Sequence, residues 1–182
     1  MDERQHLNRQ LIDFYEGKGV DCRGQHLETL LAWPNEKLEY QHDFIQWLFP
    51  LDEGSRYAVS APIVDSTTIA HFKASQTIQL NLRRAFARML RFYGFFCQEN
   101  AFIRVPLVEQ VQALQAAPDW FDRDDHNVQR ITRIMKSMRL FGLANFAQAL
   151  RAALTELTIK FPDRVSNEEL RHWQISLNVA VA

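Results

Sequence analysis

An all-α fold is what this sequence predicts, and three observations predict it. Apolar residues recur three and four positions apart in segment after segment. The chain is rich in Leu, Ala, Arg and Gln, residues that suit helix interiors. No segment shows sustained period-two alternation bounded by hairpin turns, so no convincing strand is expected. With 182 residues, 47% of them hydrophobic, and six glycines and six prolines, the chain reads as one soluble, globular domain spanning residues 1–182. Roughly seven or eight helices of uneven length are expected in a single orthogonal bundle.

Each element has its own warrant. Leu7, Leu11, Phe14 and Tyr15 repeat at helical spacing, and Gly17-Lys-Gly19 stops that helix. A short helix over His26 to Trp33 ends at Pro34. Asn35 is the expected N-cap of the next helix, with Glu36 and Glu39 in its first turn, and LEYQHDFIQWLFP, residues 38–50, continues it to Pro50. Phe44, Ile45, Trp47, Leu48 and Phe49 are its expected core face. Leu51 to Asp65 lacks periodicity and is the longest irregular connection. A short helix over Ser66 to Ala74 leads to a central helix from Gln76 to Phe96, with Ile78, Leu82, Phe86, Met89, Leu90 and Phe96 on one side. Arg84, Arg88 and Arg91 form a second stripe there, a solvated face by default. Pro106 opens a helix from Leu107 to Ala116. Asp124 or Asp125 caps another running to about Arg139, interrupted by Gly142. The following helix carries Phe146, Leu150, Leu154 and Leu157 and stops at Pro162, and Ser166-Asn-Glu-Glu169 is a capping box for the last.

Composition bounds the function classes. The N-terminus MDERQHLNRQ lacks a basic head followed by an apolar core, and no apolar run approaches the roughly 20 residues of a membrane span. A cytoplasmic protein is therefore expected. Cys22 and Cys97 stand alone and outside any C-x-x-C spacing, which fits reduced thiols, although a disulfide between them stays open. Charge is uneven: residues 1–72 hold six Lys/Arg against twelve Asp/Glu, residues 73–139 hold eleven against six, and the rest hold four of each. An acidic third packed on a basic one accounts for this, and so does a basic face offered to an acidic partner.

Motifs for catalysis are sparse. Glu39 and His42 have the E-x-x-H spacing of di-iron bundles, but those need the motif twice, and neither His26 nor Cys22 has partners at zinc spacing. No metal or other cofactor is expected. There is no G-x-S-x-G, no glycine-rich phosphate loop and no nucleic-acid motif with interleaved aromatics, so nucleic acid is disfavoured as a partner. What remains is a polar constellation. His126, Arg130 and Arg133 lie at i, i+4, i+7 beside Ile131, Ile134, Met135 and Met138, with Asn127 adjacent; His42 and Gln46 are one turn apart on the other segment. Were those two helices to pack, these six residues would converge into a candidate ligand-binding site, because arginine forks grip carboxylates and phosphates. The competing reading is architectural, with Arg130 and Arg133 bonded to Asp43, Glu39 or buried carbonyls.

Four stretches carry a resemblance: LIDFY at 11–15, HDFIQWLFP at 42–50, MLRFYG at 89–94 and HNVQRITRI at 126–134. Together they resemble the conserved region of the opioid growth factor receptor family, most strongly over residues 11–143. The resemblance implies the relatives' described role, as receptors for the pentapeptide met-enkephalin associated with nuclear membranes, and a stand-alone domain of microbial type without their repeat-rich tails. The favoured reading is a non-catalytic binding module for a short peptide or small anionic molecule, lined by His42, Gln46, His126, Asn127, Arg130 and Arg133. One alternative is an enzyme using His42 or His126 as acid or base beside Arg130 and Arg133. The other is an interaction protein whose basic middle third docks on an acidic macromolecule.

Overall fold

A computed structural model describes residues 3–54, 61–99, 106–110, 116–122 and 125–178. Helices dominate the described residues, as the sequence predicts, and they sort into two compact units, residues 1–92 and 93–182.

The first unit holds α1 (Glu3–Tyr15), α2 (Leu27–Leu31), α3 (Asn35–Tyr40), α4 (Phe44–Leu48), α5 (Ser66–Ala74) and α6 (Gln76–Phe92). Its core is aromatic. Phe14 of α1 meets Trp47 of α4 edge to face at 5.6 Å, and Tyr15 meets Phe72 of α5 at 5.1 Å. The helices α1 and α5 pack on α6, which buries Ile78, Leu82, Phe86, Met89 and Leu90 on the face that its periodicity marks. The Asp65 side chain caps α5 by accepting from the Thr68 amide at 2.7 Å. In the irregular connection, Val64 donates to the Leu51 carbonyl at 3.0 Å and Arg4 of α1 donates to Ile63 at 3.1 Å. Residues 55–60 of that connection lie outside the described residues.

The expected continuous helix through LEYQHDFIQWLFP is corrected: it is two helices with an extended break at Gln41. Six consecutive residues, Phe44 to Phe49, are buried, which no single face of a long surface helix accommodates. Arg23, from the loop before α2, donates to the Gln41 side chain at 2.6 Å and pairs with Asp43, tying down the break. The expected N-cap moves as well. Pro34 occupies the cap position and Asn35 is the first helical residue, its side-chain oxygen taken by Arg88.

Besides the isolated bridge Leu51–Ile63 of the first unit, the described residues depart from helix in a strand pair of the second unit. β1 (Phe95–Glu99) and β2 (Pro106–Gln110) pair antiparallel, Phe95 opposite Gln110 and Glu99 opposite Pro106. The central helix therefore ends at Phe92 and not Phe96, and the chain turns at Gly94 with φ +81°. The helix expected from Leu107 begins instead as a strand, while residues 111–115 lie outside the described residues. Physically, Pro106 satisfies a strand's first position as well as a helix's first turn, and pairing with β1 decides between them.

The helices α7 (His126–Leu140), α8 (Ala144–Lys160) and α9 (Asn167–Asn178) complete this unit around Ile131, Met135, Met138, Leu150, Leu154, Leu157 and Trp173. Asp125 caps α7 through its carboxylate; Asp124 lies outside the described residues. Gly142, at φ +85°, separates α7 from α8. The capping box forms as expected: Glu169 accepts from the Ser166 amide at 2.8 Å, and the Ser166 hydroxyl accepts from the Glu169 amide at 3.2 Å.

Candidate functional site

The six candidate residues divide between the units, His42 and Gln46 in the first and the four residues of α7 in the second. In the first unit His42 is not helical. It sits exposed in the break between α3 and α4, so the helical i, i+3 relation of Glu39 and His42 is not kept. Gln46 is buried. With its amide oriented to satisfy both ends, its nitrogen donates to the carbonyls of His42 at 3.0 Å and Asp43 at 2.8 Å. Its geometry is that of a brace for the bend.

In the second unit the first turns of α7 bury polar groups that a surface helix would expose. Asn127 and Arg130 are only 1% and 5% exposed. The Asn127 side-chain oxygen accepts from Arg130 Nη1 at 3.2 Å and from the Tyr93 hydroxyl at 3.4 Å, and its backbone amide donates to Asp125 at 2.7 Å. His126 Nδ1 stands 3.6 Å from the same Asp125 carboxylate. His126 and Arg133 are half-buried, at the rim of this seam. One participant was missed by sequence reasoning: Tyr93, of the MLRFYG stretch that carries the resemblance. Ser137, wholly buried, lies two turns beyond Arg130 on the same stripe. A seven-residue spacing from Arg130 was the available signal for Ser137.

The second arginine stripe is in part the expected solvated face, with Arg84 and Arg91 exposed and Arg88 half-buried, but two of its members are held by partners. Arg84 grips Glu28 of α2 with both Nη atoms, at 2.5 and 2.6 Å, and Arg88 donates to the Trp33 carbonyl at 2.6 Å and to Asn35 at 2.9 Å. The Arg84 fork holds the Glu28 carboxyl below the usual carboxylate range. Elsewhere in this unit, burial pushes the Tyr15 phenol well above its ordinary value, and its hydroxyl donates to the Leu48 carbonyl at the end of α4. No three His, Cys, Asp or Glu side chains converge as a metal site among the described residues, and Cys22 and Cys97 are not bridged to each other. No helix among the described residues is long and apolar enough to cross a membrane.

These features define a predominantly helical protein that buries an asparagine–arginine pair at the start of its α7 helix. The chain belongs to the opioid growth factor receptor family, whose conserved region matches residues 5–178. It is 36% identical over 134 residues to the human opioid growth factor receptor, covering 72% of this chain and 19% of that protein. The rat receptor is 34% identical over 152 residues, 81% of this chain and 26% of the relative. Opioid growth factor receptor-like protein 1 of the mouse is 32% identical over 146 residues, 72% of this chain and 29% of the relative. The matches thus span between 19% and 29% of these relatives' lengths. No solved structure matches the chain.

Proposed function

We propose that the chain is a non-catalytic binding module that takes a short peptide or small anionic ligand at the polar seam of α7. The observation that carries this reading is Arg130, a charged side chain almost wholly buried and bonded to Asn127 rather than spread into solvent. Burying a guanidinium is costly, and a fold keeps one where it braces neighbouring polar groups. In this reading Asn127 and Arg130 form the floor, while His126 and Arg133, one turn to either side, meet the ligand's negative group. The relatives' printed name, receptor, agrees with a binding role. The alternative, docking on an acidic macromolecule through the basic middle third, loses one of its cations, Arg84, to the Glu28 carboxylate.

Calorimetric titration with met-enkephalin, a pentapeptide with a free carboxylate, tests the proposal. The Arg133→Gln variant, checked for retained helicity, is expected to bind about tenfold more weakly, the scale of one charge-assisted hydrogen bond. Equal affinity of variant and wild type, or no binding by either, overturns this assignment.

A further inference from the structure

Along α6 the positive charges at 84, 88 and 91 are treated unequally, and the inequality points outside the molecule. Arg84 is neutralised by the two-pronged contact with Glu28. One turn on, half-buried Arg88 meets only neutral acceptors, the Trp33 carbonyl and the Asn35 side-chain oxygen, both through Nη2. Its Nε and Nη1 donors make no hydrogen bond among the described residues. Partial burial lowers the Arg88 pKa, and the charged group that adds to this is another cation, Arg91. Lys37 adds a third positive charge to the same corner. Its ammonium lies 4.1 Å from the centre of the Trp33 ring, on the residue whose carbonyl Arg88 holds. A half-desolvated guanidinium beside a like charge and without a carboxylate is destabilising unless an anion joins it.

We propose that Arg88, with Arg91 beside it and Lys37 over the Trp33 ring, forms an anion site that takes a phosphate group, a proposal independent of the α7 reading. A phosphate carries about −1.5 to −2 charge and three acceptor oxygens, which matches several unneutralised cations better than a singly charged carboxylate does. Free phosphate and a phosphorylated side chain present the same chemistry. Arg88 is held by its two bonds, Lys37 lies over the Trp33 ring, and Arg91 and Lys37 are both exposed to a ligand from solvent.

Nitrogen-15 NMR of the full chain tests this, with the Arg88 Nε and the Trp33 indole as reporters. The probes are inorganic phosphate, a phosphoserine hexapeptide and the same hexapeptide unphosphorylated. Saturable shifts of both reporters are expected with phosphate and with the phosphopeptide, beyond any produced by sodium chloride of equal ionic strength. Arg91→Gln and Lys37→Gln, both exposed positions, should keep the wild-type spectrum and weaken the phosphate response about tenfold each. Tighter binding of the phosphopeptide than of phosphate assigns the site to a phosphorylated segment; equal binding assigns it to the free anion. Absence of saturable shifts with both phosphate probes overturns the proposal, as does an undiminished response in both variants or equal shifts from the unphosphorylated peptide.

Discussion

Replacing Tyr15 by Phe removes one oxygen from the centre of the first unit and isolates the worth of one hydrogen bond. α4 is only five residues long, far too short to persist on its own, and its terminal carbonyl at Leu48 accepts the Tyr15 hydroxyl. Tyr15 is fully buried, so water does not readily replace the lost donor. The ring contacts with Phe14 at 5.5 Å and Phe72 at 5.1 Å survive, as does the bond from Asn81 to the Tyr15 carbonyl at 2.7 Å. No cavity opens, and the cost is that of a buried acceptor left unpaired, about 1–3 kcal/mol. Urea unfolding followed by circular dichroism should show the midpoint falling with an unchanged m-value. The same residue supplies a signature in pH. Burial raises the folded Tyr15 pKa above the ordinary 10.0, so the folded state keeps a proton that the unfolded chain loses. That contribution is complete below the ordinary value and is lost as pH climbs above it. Tyr15→Phe should therefore make the alkaline loss of stability shallower. A cost below about 0.5 kcal/mol, with the alkaline profile unaltered, would refute the claim that this hydroxyl secures α4.

Two further outcomes follow from the first unit and the turn after it. Glu28→Gln should cost less than about 1 kcal/mol, because the Glu28 and Arg84 side chains are 67% and 42% exposed and solvent screens the pair. Since the Glu28 pKa is lowered, chiefly by the Arg84 hydrogen bond, its contribution is present above the ordinary 4.5 and lost as pH falls through the folded value. Acid titration of stability for wild type and Glu28→Gln should converge at low pH. Gly94→Ala should cost about 1–2 kcal/mol purely through backbone conformation, for φ is +81° and an added Cβ meets nothing within 4 Å. Thermal unfolding should rank Gly94→Asn above Gly94→Val, because asparagine tolerates this conformation better.

Much of the fold was legible because the signals are local. Asp125, the Ser166–Glu169 box, Gly17, Gly142 and Pro162 act within one helical turn, and each marks a real boundary. The apolar stripe of α6 was likewise readable, since a 17-residue amphipathic helix has few ways to bury it. The candidate site was legible in part. The i, i+4, i+7 spacing found Arg130 and placed it beside Asn127, but spacing does not report depth, and that Asn127, Arg130 and Ser137 are buried came only from packing.

The sequence by itself determined the helical class, the helix ends with nearby caps and the family, through stretches such as HDFIQWLFP and HNVQRITRI. Tertiary structure alone decided three other matters. It broke the Leu38–Pro50 segment, because Arg23 holds Gln41 and Asp43 from about twenty residues away. It made Pro106–Gln110 a strand, because β1 was there to pair with it. It distinguished Arg84 from Arg88, which share a stripe, by giving one a carboxylate and the other only neutral oxygens. In each case local preference is worth a few tenths of a kcal/mol to about 1, while the partner that settles the outcome lies far along the chain and is invisible to any short window.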